Sequence, residues 1–196
     1  MKIRELFSGR VFTLSNFLSL LRILLVPFIW YCFSMEKSTG LVKFKYFSLA
    51  IFFIILLTDF LDGFLARALN QVSRLGQFID PLADKLSALT LAVLLYHYRD
   101  FPLWLILVMV ARDLYAVIGG LMLFAKKDIQ TRPNFFGKMM VCCMGLAGFI
   151  YIYNPGFSYD GITLQHISIF LIFIFMVLSS LFYWKTYSRV YFEEKR

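Results

Sequence analysis

Six long apolar runs divide the sequence, at about 17–33, 44–61, 86–98, 101–125, 139–153 and 162–184. A helix rises 1.5 Å per residue, so crossing the hydrocarbon of a bilayer takes about 20 apolar residues in succession. Five runs are read as reaching that scale directly. The run at 86–98 does so once it is counted back to Asp80 or Pro81. Hydrophobic residues make up 60% of the 196 residues, against about half in a soluble domain. These runs account for the excess. The expected fold is an all-α membrane protein, a bundle of six transmembrane helices.

The residues between the runs orient the bundle. Lys2, Arg4 and Arg10 precede helix 1, and Arg67, Arg74 and Lys85 lie between helices 2 and 3. Lys126, Lys127, Arg132 and Lys138 lie between helices 4 and 5, and Lys185, Arg189, Lys195 and Arg196 follow helix 6. The other side has only Lys37, Lys43, Lys45 and Arg99. Basic loops stay cytoplasmic, so both termini are expected there. The net charge of +8 reflects anchoring beside anionic headgroups and calls for no nucleic acid. MKIRELFSGRVFTLSN has no small-residue cleavage site after the first apolar run, so no cleavable signal peptide is read. Ile3, Leu6, Phe7 and Val11 could form one face of a short interfacial helix. The expected division is a juxtamembrane segment at 1–15, a transmembrane domain at 16–185 and a basic tail at 186–196. Cys32, Cys142 and Cys143 lack metal-ligand spacing and read as small fillers of helix interfaces. His97 and His166 fall near helix ends on the outer side, away from the acidic stretch described next. Pro155, Gly156, Asp160 and Gly161 mark an outer loop between helices 5 and 6.

Against this background the stretch TDFLDGFLARALNQVSRLGQFIDPLADKL, residues 58–86, is anomalous. It holds Asp59 and Asp62, three apart, and Asp80 and Asp84, four apart, and either spacing places the pair on one helical face. The connection between helices 2 and 3 is short, so these are expected to be antiparallel neighbours whose carboxylates converge. Converging carboxylates repel and resist ionisation at low dielectric. Hard divalent cations such as Mg²⁺ or Mn²⁺ relieve that through oxygen ligands. Four carboxylates suit two such ions, an arrangement that serves in-line displacement at phosphorus. Gly63 and Gly76 open the backbone to a ligand, and Arg67, Ser73 and Arg74 add donors. Together these residues describe a seat for a diphosphate at the membrane surface.

Written as a pattern, D-x2-D-G-x2-A-R-x8-G-x3-D-x3-D runs from Asp59 to Asp84 with every position filled. It resembles the signature of the CDP-alcohol phosphatidyltransferases, and chain length and helix number are similar as well. The resemblance implies that Asp59, Asp62, Asp80 and Asp84 bind two divalent cations, with Asp84 also the general base. It implies that Gly63, Arg67, Ser73 and Gly76 meet the CDP moiety of CDP-diacylglycerol, joined by Asn16 and Arg22 at the start of helix 1. Ser19 stands where that family often has Thr. The resemblance implies a homodimer too. The basic residues place the active-site cavity on the cytoplasmic side, membrane lipids are expected around the bundle, and with no Arg- and Ser-rich presequence ahead of helix 1 a bacterial inner membrane is the expected location.

The acceptor alcohol is less sharply marked. Arg112 and Asp113 interrupt helix 4, and TRPNFFGKMM places Arg132, Gly137 and Lys138 at the entry to helix 5. An internal ion pair and a plain positive-inside signal are the structural readings; an anionic acceptor site is the functional one. The pattern is similar to the phosphatidylglycerophosphate synthase branch, which implies glycerol 3-phosphate bound by Arg112, Arg132 and Lys138. Lys138-Met139-Met140-Val141 departs from the Lys-x-Lys-Thr of many members of that branch. Phosphatidylglycerol, as in cardiolipin synthases of this fold, and inositol phosphate are the alternative acceptors. A cation transporter using the aspartates as an ion path is a different class, but transporters place such groups near the bilayer midplane. Prenyltransferases carry two acidic motifs far apart in a longer chain.

Overall fold

The computed structural model describes residues 14–68, 76–127 and 134–193. Six helices and one small hairpin make up the described residues: α1 (Leu14–Thr39), α2 (Val42–Ala68), α3 (Gly76–Arg99), α4 (Leu103–Lys127), α5 (Phe135–Tyr153), β1 (Ser158–Tyr159), β2 (Ile162–Thr163) and α6 (Leu164–Glu193). The interfacial helix expected ahead of residue 16 falls outside the described residues. α1, α2 and α3 each contain one expected apolar run and extend beyond it at both ends, whereas α4 begins at Leu103, just inside its run, and the first two residues of the last run, Ile162 and Thr163, form β2 ahead of α6.

Four helices contain spans apolar enough to cross a bilayer within their described residues: Phe17–Thr39, Val42–Leu61, Phe135–Tyr153 and Leu164–Lys185. Only 22–33% of each span is buried. Phe53, Phe60, Phe170 and Leu181 point outward at 60–72% exposure. Apolar surface on this scale is untenable in water, and hydrocarbon is its solvent. The protein is an all-helical integral membrane protein.

The chain divides between Phe101 and Pro102 into two compact units. In the first, α1 packs along both α2 and α3. Its buried residues Ser19, Arg22, Val26, Ile29 and Phe33 recur every three or four positions, one stripe of a helix. Phe52 and Ile55 of α2 and Ala92 and Leu95 of α3 are buried in the same unit. The short α2–α3 connection suggested that these two helices adjoin directly. Among the described residues, the extensive packing of each is with α1 instead.

Helix ends in this unit follow from local chemistry. Gly40, at φ 67°, closes α1 with its N–H donating to the Glu36 carbonyl at 2.9 Å. Asp100 takes φ 57° after α3, and the Phe101 N–H donates back to the Leu95 carbonyl at 3.3 Å, a left-handed helix cap. Pro102 then bars continuation. At this end Arg99 of α3 forms an ion pair with Glu36 of α1, and its guanidinium lies 5.0 Å from the centre of the Phe33 ring.

In the second unit α6 packs along α5 and along α4. Met140, Cys143, Ala147 and Tyr151 form the buried stripe of α5, and Ser168, Ile172, Met176 and Ser179 that of α6. The loop marked by Pro155 and Gly161 contains a hairpin in which Ser158 pairs with Thr163 and Tyr159 with Ile162. Its two turn residues, Asp160 and Gly161, have φ of 50° and 77°. Positive φ at both positions matches the twist of the two strands.

Candidate active site

The acidic stretch folds as helix, connection, helix. Asp59 and Asp62 occupy the last turns of α2 before it ends at Ala68, and Asp80 and Asp84 the first turns of α3. Each pair lies about one turn apart on its own helix. Gly63 and Arg67 belong to α2, Gly76 opens α3, and Asn16 lies in the first turn of α1. Of the side chains at Asn16, Asp62, Arg67, Asp80 and Asp84 only the helix position is described. Ser73 and Arg132 fall outside the described residues.

Asp59 is the carboxylate whose surroundings are described, and its partner is Arg22. The guanidinium Nη1 donates to Asp59 Oδ1 at 2.5 Å, and Nη2 reaches Ser19 Oγ at 3.5 Å. Arg22 is almost fully buried, with 2% of its side chain exposed, whereas Asp59 is 47% exposed. The two ends of this bond therefore differ in kind. A buried guanidinium is tolerated because a counter-charge faces it, while the carboxylate presents its other side outward. Arg22 occupies a core position of α1 and meets the acidic stretch through Asp59. That placement answers to the buried stripe: residues 19, 22, 26, 29 and 33 share a face, so the polar pair Ser19 and Arg22 continues an apolar seam.

The donor set suits hard cations. Four carboxylates lie at two helix ends, with neither Cys nor His in the intervening stretch, and oxygen-only sets of this kind favour Mg²⁺ or Mn²⁺ over softer metals. The outward-turned carboxylate of Asp59 is open to a ligand, which a buried carboxylate would not be.

A second polar cluster forms within the second unit. Arg112 of α4 donates from Nη1 to Asp113 Oδ1 at 2.7 Å and from Nη2 to Ser179 Oγ of α6 at 2.6 Å. Its guanidinium also lies 5.6 Å from the centre of the Tyr183 ring. Asn134 caps α5: its side chain accepts from the Phe136 N–H at 2.8 Å. The Asn134 amide donates to the Ser179 carbonyl at 3.2 Å and lies 3.3 Å from Ser179 Oγ. A Cβ on Gly137 would stand 3.1 Å from Arg112 Nη2 and 3.4 Å from Ser179 Oγ, so glycine is what lets the guanidinium and the serine approach the start of α5. Lys138, one residue on, is exposed. Arg112 also lines an open, mainly apolar groove of about 300 Å³ between α4 and α6, with Tyr115 and Trp184 on its wall.

Ser179 and Asn134 do not stand out as functional residues in the sequence. Ser179 sits in MVLSSLF as one of two serines in an apolar helix, and Asn134 follows Pro133 in the ordinary place of a helix cap. No signal in the sequence sets Ser179 apart from Ser180, because the helix around them is apolar on nearly every side. His166 shares a contact with Thr163 Oγ1 at 2.9 Å, and the three cysteines carry free thiols.

An all-helical membrane protein with paired carboxylates where two helices meet a short connection defines the class. The model of the family described as CDP-alcohol phosphatidyltransferase matches residues 12–185. The CDP-diacylglycerol–glycerol-3-phosphate 3-phosphatidyltransferase of Aquifex aeolicus is 34% identical over 150 residues, covering 72% of this chain and 79% of that protein. The enzyme of the same name from Bacillus subtilis is 29% identical over 169 residues, 85% of this chain and 84% of its own. A CMP-forming cardiolipin synthase of Streptomyces coelicolor is 38% identical over 138 residues, 67% of this chain and 60% of that protein. The chain belongs to the CDP-alcohol phosphatidyltransferase family.

Proposed function

We propose that the protein transfers the phosphatidyl group of CDP-diacylglycerol to the hydroxyl of glycerol 3-phosphate, giving phosphatidylglycerophosphate and CMP. The observation that carries this reading is the unbroken motif from Asp59 to Asp84, lying wholly inside the matched region with its two aspartate pairs in α2 and α3. The choice of acceptor follows the relatives from Aquifex and Bacillus, whose names specify glycerol 3-phosphate.

On this reading all six helices span the membrane, and the site opens to the cytoplasm of a bacterial inner membrane, on the side where basic residues concentrate. Asp59, Asp62, Asp80 and Asp84 hold two divalent cations, Mg²⁺ or Mn²⁺. When bound, such ions neutralise the diphosphate and stabilise charge on entering and leaving oxygens. Gly63, Arg67, Ser73, Gly76 and Asn16 receive the CDP moiety, and Arg22 serves the site by holding Asp59. Asp84 accepts the proton of the acceptor hydroxyl. The acceptor oxygen then bonds to the phosphorus that carries diacylglycerol as the bond to the CMP oxygen breaks. Arg112, Arg132 and Lys138 bind the acceptor's phosphate. Positioning and charge neutralisation supply most of the acceleration in such transfers.

The second reading, phosphatidylglycerol as acceptor, draws on the Streptomyces relative and on the sequence Lys138-Met139-Met140-Val141. The deciding experiment is CMP release by purified protein with CDP-diacylglycerol and Mg²⁺ or Mn²⁺. Glycerol 3-phosphate, phosphatidylglycerol and inositol phosphate are supplied separately and the lipid product is identified. Release with glycerol 3-phosphate alone supports the proposal. Release only with phosphatidylglycerol replaces it with cardiolipin synthesis, and metal-independent release removes the two-cation site.

A further inference from the structure

We infer that Ser179 and Asn134 are positioning residues for the acceptor: they fix the guanidinium of Arg112 in the orientation that recognises the acceptor's phosphate. The inference rests on the reading above that Arg112 meets an anionic acceptor.

Three elements converge on one guanidinium. The Arg112 side chain is held at Nη1 by Asp113 at 2.7 Å and at Nη2 by Ser179 Oγ at 2.6 Å. Ser179 is fully buried at 0% exposure and Asn134 nearly so at 5%, so each polar group bears the desolvation cost of a buried donor or acceptor. Packing alone does not call for a hydroxyl at residue 179, since alanine would suit an apolar helix interface there. Asn134 does two jobs at once. Its oxygen caps α5, while its amide grips the carbonyl of Ser179 at 3.2 Å. The start of α5 is thereby tied to the very residue that holds Arg112, and Gly137 supplies the space for the contact.

An arginine recognises phosphate through a planar fork whose donors must face the ligand together. With one donor on Asp113 and one on Ser179, the plane of the fork is set before the acceptor arrives. An unheld arginine would lose side-chain freedom only on binding. Asp113 alone, adjacent in sequence, leaves rotation about the Nη1 contact open, and Ser179 removes it.

The test is steady-state kinetics on the full-length protein in detergent, with CDP-diacylglycerol and glycerol 3-phosphate varied in turn and thermal unfolding recorded for each variant. Ser179→Ala is expected to raise KM for glycerol 3-phosphate by about tenfold, the scale of one charge-assisted hydrogen bond. KM for CDP-diacylglycerol is expected to stay within about twofold of its starting value, the same arithmetic allowing no more for an untouched contact. Ser179→Thr, which keeps the hydroxyl, restores acceptor KM. An unchanged acceptor KM in Ser179→Ala, an equal rise for both substrates, or loss of thermal stability alone overturns the inference and makes the cluster a packing latch. Arg112→Ala without a rise in acceptor KM overturns both the inference and the acceptor role of Arg112. If the wild type uses phosphatidylglycerol or inositol phosphate, the glycerol 3-phosphate reading alone is lost. The same KM comparison with that acceptor then decides the role of Ser179.

Discussion

Arg22 and Asp59 should not contribute to stability as equals. The bond between them is 2.5 Å long, but the guanidinium is 2% exposed and the carboxylate 47%. Asp59→Ala removes one carboxylate from a cation that α1 keeps in its packed face. Breaking a buried pair in that direction costs about 3–5 kcal/mol, and about 3 kcal/mol or less is expected here because Arg22 keeps other contacts, the Ser19 oxygen at Nη2 among them. Arg22→Met retains most of the side-chain volume in the α1 seam and leaves a carboxylate that solvent already reaches. Its electrostatic cost is that of a partly exposed pair, about 1 kcal/mol or less. The double variant Arg22→Met/Asp59→Ala should cost about 1 kcal/mol, giving a coupling of about 3 kcal/mol between the two sites. The assay is unfolding of detergent-solubilised protein followed by tryptophan fluorescence, in EDTA so that bound cations do not contribute. If Asp59→Ala costs no more than Arg22→Met, the buried end of the bond does not control its energetics.

Other expectations follow from single residues. Asp84→Asn should retain CDP-diacylglycerol binding, measured by equilibrium binding of the lipid, while CMP release falls below detection because the proton acceptor is gone; turnover in that variant removes Asp84 from the proton transfer. Gly137→Ala gains about 1 kcal/mol of helix propensity but places a methyl 3.1 Å from Arg112 Nη2. Its melting temperature should therefore stay near wild type while KM for the acceptor rises, and a fall in stability without a kinetic change would contradict this. Asn134→Ala removes the α5 cap together with a buried amide contact, and about 2 kcal/mol should be lost in the same unfolding assay. Glu36→Ala leaves Arg99, of which only 16% is exposed, without its carboxylate. It should lower the unfolding midpoint with little effect on either KM.

The helices and the acidic motif were legible because each is written locally. An apolar run of bilayer length has few alternatives, and two aspartates three or four residues apart share a helical face wherever that helix packs. What was not legible was which helix lies against which. The short link from Ala68 to Gly76 pointed to α2 and α3 as neighbours, yet α1 is the packing partner of both among the described residues. In a chain that is apolar on nearly every side, periodicity cannot separate a lipid-facing stripe from a protein-facing one. For the same reason the place of Arg22 in the α1 seam, bonded to Asp59, could not be read from the sequence, and Ser179 looked like an incidental serine. Polar residues in the α1 and α6 seams acquire meaning only through partners 37 and 67 positions away. The hairpin at 158–163 is the opposite case: its Asp-Gly turn was visible, but a stretch this short reads as loop until its two strands are seen to pair.

The two units are organised around opposite ends of their own sequence. In the first, the helix that the others rest on is α1, the earliest of the three to be made; in the second it is α6, the latest. During synthesis the first unit can therefore close step by step, with α2 and then α3 docking on a helix already in the bilayer. In the second, the packing of α4 and of α5 among the described residues is with α6, so it forms only once α6 is made. Until then Arg112 has no Ser179 to bind and Asn134 caps a helix with no partner. A chain that ends before residue 164 holds all three helices of the first unit but lacks the helix on which the described packing of α4 and α5 rests.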